Sequence, residues 1–315
     1  GDLVYKDNTV DKWVDNIDQY LGADFPVLAV VGNHEDEDWP ELQRHLTSRI
    51  DRITDLNCEG IYGVKALCNF RGLTIVQASP GLYGVPGVPD GGDYEDFIEQ
   101  QLSQSASSWK ICSWHKNQTK MQLGVKSNSV GWGIYEACLN QGALVATGHE
   151  HSYSRTHLMS NFQDQTVVHT DDHLEIDRGQ SFAFVSGLGG VGIREQVIDG
   201  PWWAAKYTRT QDASYGALFC TFGNVRASCY FKDIQGAMPD RFTLESKLVL
   251  TEPEVEVEPE VEIQVEAQAE VEAQVENESS SSSKRLGALN ILTNALLLIF
   301  IVISVCLRNR SERRK

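Results

Sequence analysis

The sequence predicts a layered domain of α/β or α+β class, and three observations carry that prediction. Short apolar runs alternate with amphipathic stretches through residues 1–251. Several of these runs end at once in Gly-containing turns that bear Asp, Asn or His. The overall charge of −17 is segregated, so the folded part must be read apart from the tail. Residues 1–251 carry a net −12, residues 252–283 a net −11 with 11 Glu and no base, and residues 284–315 a net +6. Such acidity excludes a nucleic-acid binder that works through a basic surface.

Residues 9–21 place Val10, Trp13, Val14, Ile17 and Leu21 on one helical face. The run PVLAVV at 26–31 is short and wholly apolar, which predicts a buried strand. Residues 72–78 and 109–114 (WKICSW) read the same way. Residues 93–105 fit a helix between them, and 130–141 fit another, followed by the strand-like ALVAT at 143–147. Residues 181–232 are rich in β-formers and glycine, which predicts short strands.

Six cysteines fall in this part: Cys58, Cys68, Cys112, Cys138, Cys220 and Cys229. An even number suits disulfides in an oxidising compartment, with 15 possible pairings. Cys220 and Cys229 face each other if Asn224 and Val225 form the turn between them, and do not if Gly223 and Asn224 do. No CxxC occurs, so a zinc-ribbon or thioredoxin reading has no support.

Residues 252–283 alternate Val and Glu, but single-sign charge, low complexity and two prolines favour a solvated, disordered acidic stalk. A flexible coil of that length spans about 30–35 Å on average. Leu286–Leu307 holds 22 residues without a charge. As a helix it would measure about 33 Å, against a bilayer core of about 30 Å. Lys284 and Arg285 precede it, and Arg308, Arg310, Arg313, Arg314 and Lys315 follow. We therefore expect a single-pass transmembrane helix over 284–307 and a basic cytosolic tail at 308–315. The domain at 1–251 would then be extracellular or lumenal.

Four stations concentrate the chemistry. They are Gly1-Asp2-Leu3-Val4-Tyr5, Gly32-Asn33-His34-Glu35, His115, and Gly148-His149-Glu150-His151. The last three each follow an apolar run directly. Strands of one sheet deliver their C-terminal ends to one edge, so these side chains can converge. Carboxylate, amide oxygen and imidazole suit a divalent metal such as zinc, manganese or iron. Two such ions about 3.5–4 Å apart form a clamp for in-line displacement at phosphorus.

Together GDLVY, GNHE, His115 and GHEHSYSR resemble the calcineurin-like metallophosphoesterases, and the spacing is most similar to the purple acid phosphatase branch. Gly187-Leu188-Gly189-Gly190 is similar to the Gly-rich stretch that follows the last ligand there. The resemblance implies a layered β-sandwich flanked by helices over roughly residues 1–235. It also implies two metal ions, iron with zinc, manganese or a second iron. Asp2 would bridge them. Asn33, His115 and His149 would bind one ion. Tyr5 and His151 would bind the other, with an Asp from an upstream DxG motif that we expect to precede Gly1. His34 would stay off the metal and stabilise or protonate the leaving group. The third station reads WHKNQ, where that branch has a Pro soon after the His.

The expected function is phosphomonoester hydrolysis of acid-phosphatase type. A phosphodiesterase or nucleotide hydrolase of the same family is the nearest alternative. A non-catalytic stalked surface domain is disfavoured because Asp2, Asn33, His34, His115, His149 and His151 are all present. Nothing in the sequence sets an oligomeric state. Among the remaining residues, His45, His157, His169 and His173 are expected at the solvated surface, and Arg155 in an ordinary salt bridge. Trp202 and Trp203 are expected in packing. Glu35 and Asp36 either tune the site or form a solvated acidic loop. Asn117-Gln118-Thr119 is a glycosylation sequon too close to His115 to be used, which leaves Asn277 as the better acceptor.

Overall fold

A computed structural model of the chain describes residues 1–5, 8–248 and, for the backbone, 297–300. Helix α1 (Val10–Leu21) begins where Thr9 Oγ1 accepts the Lys12 N–H, and it buries Val10, Trp13 and Ile17 as its periodicity predicts. Helix α2 (Trp39–Ile50) takes Pro40 into its first turn and buries Trp39, Leu42, Leu46 and Ile50. Three antiparallel strands follow, β1 (Leu56–Ile61), β2 (Lys65–Phe70) and β3 (Leu73–Ala78). Then come α3 (Tyr94–Ser103), β4 (Trp109–Ser113), α4 (Trp132–Asn140) and β5 (Leu144–Thr147). Short strands complete the domain: β6 (Tyr153–Thr156), β7 (Leu158–Asn161), β8 (Thr166–His169), β9 (His173–Ile176), β10 (Ala183–Ser186) and β11 (Trp203–Tyr207). The last are β12 (Gly216–Phe222), β13 (Arg226–Asp233), β14 (Asp240–Ser246) and β15 (Leu297–Phe300).

The main sheet has eight strands in the order β1-β2-β3-β4-β5-β10-β6-β11. Its centre, β3-β4-β5-β10, is parallel, and the flanking pairs are antiparallel. Side chains alternate across it with a period of two. Ile75, Ile111, Leu144 and Phe184 join a core with α1, α2 and a five-stranded sheet, β15-β12-β13-β14-β9. Val76, Cys112, Val145 and Ala183 join a second core with α3 and α4. The result is a mixed α/β fold of stacked sheets, with α1 and α2 on one face of the main sheet and α3 and α4 on the other.

A buried polar network ties the two sheets together. Arg155 on β6 donates twice to Asp240 on β14, at 2.8 and 2.9 Å, and once to Asp172 at 2.8 Å. Tyr153 Oη also donates to Asp240. The salt bridge expected of Arg155 is therefore buried and joins the layers. Three disulfides form: Cys58–Cys68 across β1 and β2, Cys112–Cys138 between β4 and α4, and Cys220–Cys229 across β12 and β13. Gly223 N–H donates to the Arg226 carbonyl, so Asn224 and Val225 form the turn, the register that lets Cys220 face Cys229.

One expectation changes. Residues 26–31 form no ladder with any strand among the described residues. The run is held instead by Tyr62 Oη, which accepts from Ala29 N–H and donates to the Val27 carbonyl, by Gln77 Nε2 on the Ala29 carbonyl, and by Val31 N–H on the Gly63 carbonyl. An apolar run becomes a strand only where a neighbour offers matching backbone groups. The expected membrane helix falls almost wholly outside the described residues. Four of its residues, Leu297–Phe300, are extended and pair antiparallel with Phe219–Phe222 of β12. An apolar run can meet its backbone requirements against a free sheet edge as well as within a helix. The rest of that segment, the acidic stalk and Asn277 lie outside the described residues. Among the described residues no helix is long and apolar enough to cross a membrane.

Candidate metal centre

Strand β4 ends at Ser113 and β5 at Thr147, so His115 and His149 each follow a strand end by two residues. The strands are parallel, which delivers both imidazoles to one sheet edge. Gly148 N–H donates to the His115 carbonyl, and Asn117 Nδ2 donates to the Gly148 carbonyl at 2.7 Å, which locks the two loops together. Asn117 is thereby buried, and its amide is committed to the protein. Strand β10, parallel to β5, brings Gly187, Gly189 and Gly190 to the same edge.

The first two stations meet the others through Glu35. This residue is fully buried, and its carboxylate accepts the backbone N–H groups of Asp2, Leu3 and Gly32. Glu35 is thus a clamp on the backbone, whereas the neighbouring Asp36 is solvated. Gly32 is required by close approach, because a Cβ there would lie 2.3 Å from Asp2 Oδ1. Asp2 and His149 both adopt left-handed backbone, with φ of 58° and 66°. Strain of this kind at non-glycine residues collects at functional sites, where the surroundings hold it in place.

Four of the seven predicted site residues come together. His115 Nε2 lies 3.1 Å from Asp2 Oδ2, 3.1 Å from Asn33 Oδ1 and 3.1 Å from His149 Nδ1. One ring nitrogen carries at most one proton, so it cannot satisfy three acceptors. Ligand atoms of Asp2, His115 and His149 all lie within 4.8 Å of one another. His115 Nδ1 is buried with no hydrogen-bond partner. Convergent lone pairs of carboxylate, amide and imidazole fit a divalent metal ion.

The other three surround this cluster. Tyr5 Oη donates to Asp2 Oδ2 at 3.3 Å, and its ring lies 4.4 Å from that of His34. His34 is exposed, and its N–H donates to Asp2 Oδ1 at 3.0 Å. His151 lines the same cavity, with Nδ1 at 2.9 Å from the Gly192 carbonyl. That bond places the proton on Nδ1 and leaves the Nε2 lone pair for a ligand.

Electrostatics agree with this arrangement. Burial would raise the Asp2 carboxyl, but the charge and hydrogen bond of His115 hold it well below the usual carboxylate range. Burial lowers His115 to about 4 despite Asp2, and burial with His115 and Lys126 nearby lowers His149 as well. Both imidazoles are therefore neutral at pH 7, the form that binds a metal. Burial, then Asp2, pushes the Tyr5 phenol upward.

The cluster opens into a cavity of about 200 Å³. Its walls include Trp13, Ile17, Leu28 and Ile75, so the gap runs along the stretch 26–31 that joins no ladder. Other predicted residues fall elsewhere. His45, His169 and His173 contact solvent, as expected, but His157 is half-buried and its Nδ1 is enclosed without a partner. Trp203 packs in β11, and Trp202 Nε1 donates to the Lys120 carbonyl. The sequence reading missed three charged residues at the site. Lys126 Nζ lies 3.0 Å from His149 Nδ1 and donates to the His149 carbonyl. Arg194 pairs at 3.7 Å with Glu150, which is fully buried. Glu150 was visible inside GHEH, but Lys126 and Arg194 sit in aperiodic loops that carry no local signal.

Residues 1–153 match the family model for Calcineurin-like phosphoesterase. Among solved structures, purple acid phosphatase PPD1 from yellow lupin (Lupinus luteus) seeds is 16% identical, with a TM-score of 0.54 over 78% of this chain and 45% of that one. PhoD is 11% identical, with a TM-score of 0.36 over 78% of this chain and 50% of that one. The chain thus spans about half the length of the solved structures it matches. No curated protein matches. The lupin structure speaks to the fold, and the PhoD similarity carries no argument.

Proposed function

We propose, from the match of residues 1–153 to the calcineurin-like phosphoesterase model, that the chain is a binuclear metal-dependent hydrolase of phosphomonoesters, of acid-phosphatase type. The observation that carries the proposal is the convergence of Asp2, Asn33 and His149 on His115 Nε2. Asp2, Asn33, His115 and His149 would hold metal, with Tyr5 and His151 beside them. When bound, the ions supply Lewis-acid polarisation of a phosphoryl oxygen and neutralise its charge. From the resemblance to the purple branch, the metals are iron with zinc, manganese or a second iron.

The chain's own residues then have definite tasks. Asp2 stays ionised and presents Oδ2 to the centre. Gly192 fixes the proton of His151 on Nδ1. Glu35 holds the Asp2 and Gly32 backbones in register. His34, exposed at the rim beside Tyr5, is placed to give a ring proton to the leaving-group oxygen. The test uses the full chain with p-nitrophenyl phosphate and bis-p-nitrophenyl phosphate. Turnover of the monoester that is lost in His149→Ala supports the proposal, and wild-type turnover in that variant overturns it. Preferred turnover of the diester would move the substrate class to phosphodiesters. A visible charge-transfer band that disappears in Tyr5→Phe supports Tyr5 on ferric iron.

We further propose that the domain is displayed outside the cytosol on a membrane anchor, with the acidic segment as a stalk. Support comes from the uncharged run Leu286–Leu307 with its larger basic cluster on the C-terminal side, and from three disulfides in the domain. An anchor helix and the pairing of Leu297–Phe300 with β12 exclude each other within one chain. Protease treatment of intact membrane vesicles separates them. A protected C-terminal fragment supports the anchor, and full release of the chain by carbonate overturns it.

A further inference from the structure

Two cations that belong to none of the motifs stand against the GHEH loop. The Lys126 ammonium donates to the His149 carbonyl and lies 3.0 Å from His149 Nδ1. Arg194 donates its backbone N–H to the His151 carbonyl at 3.1 Å and turns its guanidinium toward Glu150. Lys126 through its ammonium and Arg194 through its backbone are therefore each tied to one of the two GHEH histidines expected to hold metal.

Their loops are built as a unit. The Leu123 carbonyl accepts the N–H groups of Val197 and Ile198, at 2.8 and 2.9 Å, which joins the segment bearing Lys126 to the segment bearing Arg194. Gln122 Nε2 donates to the Lys126 carbonyl at 2.7 Å and closes the turn that presents the lysine. Gly124 lets this turn lie on Glu150, since a Cβ there would fall 2.3 Å from the Glu150 carboxyl carbon. Glu150 is fully buried, and neither of its oxygens has a hydrogen-bond partner among the described residues. A buried carboxylate in that state is costly unless cations face it. Arg194 and Lys126 are the cations whose charge acts on it.

These cations are set in a strongly acidic domain, whose field repels phosphoesters at a distance. A local pair of cations is what would draw such a group in, and it would act more strongly on a dianion than on a monoanion. Lys116, nearby in sequence, is committed to the Gly81 carbonyl at 2.8 Å. We propose that Lys126 and Arg194, braced from behind by Glu150, form a cationic clamp that holds a dianionic phosphoryl group against the ligand cluster. The clamp rests on the hydrolase reading for its substrate, and it selects monoesters over diesters.

The experiment titrates orthophosphate into the metal-loaded full chain by calorimetry and measures KM and kcat for both nitrophenyl esters. Lys126→Met and Arg194→Met should each weaken orthophosphate about tenfold, the loss of one charge-assisted contact. KM for p-nitrophenyl phosphate should rise by a similar factor with kcat within about twofold, and KM for the diester by less than about threefold. Lys126→Arg should restore most of the affinity. Lys120→Met serves as control, because that exposed ammonium binds Gln165. Metal content must stay at the wild-type value in each variant. Unchanged orthophosphate affinity in both methionine variants overturns the clamp, and so does lost metal in Lys126→Met or a wild-type chain that does not bind orthophosphate. Orthophosphate binding without turnover of either ester would overturn the hydrolase reading and leave the clamp standing.

Discussion

Replacing Glu35 with Gln tests how the first two stations are held against each other. Glu35 Oε2 accepts the N–H groups of Asp2 and Gly32, and Oε1 accepts that of Leu3. Glutamine keeps one oxygen, so its best orientation satisfies Asp2 and Gly32 and turns an NH₂ group against the Leu3 N–H. Two charge-assisted bonds become neutral ones, at about 0.5–1.5 kcal/mol each, and one buried donor is left unmet at about 1–3 kcal/mol. The neutral side chain recovers part of this, because burial penalises the Glu35 charge and raises its pKa. The net expectation is a loss of about 2–4 kcal/mol, felt first where Asp2 and Asn33 meet. Urea unfolding at pH 7 should show a lower midpoint, and metal analysis should show less than the wild-type complement. A midpoint within about 0.5 kcal/mol of wild type, with metal content unchanged, refutes the clamp assigned to Glu35.

Other parts of the account are open to similar tests. Asp240→Asn leaves the buried Arg155 guanidinium without its bidentate partner, and urea unfolding should register a loss of about 3–5 kcal/mol. Gly32→Ala places a methyl 2.3 Å from Asp2 Oδ1, so metal content should fall while the far-UV circular dichroism holds. His157 is lowered by burial, so it is neutral in the fold and takes a proton mainly when unfolded. Its contribution is therefore present above about pH 6.5 and lost as pH falls below it. His157→Gln should flatten the acid side of the stability profile in urea melts across pH 5–7.5.

Much of the fold was legible from periodicity. Trp13 and Ile17 marked α1, and short, mostly apolar runs marked β3, β4 and β5, because burial on both faces of a central strand leaves few polar positions. The same signature at 26–31 misled, since its backbone is met by Tyr62, Gln77 and Gly63 from distant parts of the chain. Helix α2 carried Trp39, Leu42, Leu46 and Ile50 at helical spacing, yet that pattern was not read. The Cys220–Cys229 register reduced to two alternatives that only the turn residues could separate. In the site, His115 and His149 were legible because strand ends place them, and Asp2 and Asn33 because they sit within GDLVY and GNHE. Lys126 and Arg194 were not, because Glu150, which faces both, and the Leu123 carbonyl, which holds the Arg194 segment, are brought there from elsewhere in the chain.

The most direct test of the central claim counts metal ions in the purified full chain and in His149→Ala, alongside turnover of p-nitrophenyl phosphate before and after chelation. The account predicts two ions per wild-type chain, turnover that chelation abolishes and added metal restores, and loss of both metal and turnover in His149→Ala with disulfides and fold intact. A chain that binds less than one ion, or that hydrolyses the ester equally well after chelation, would contradict it.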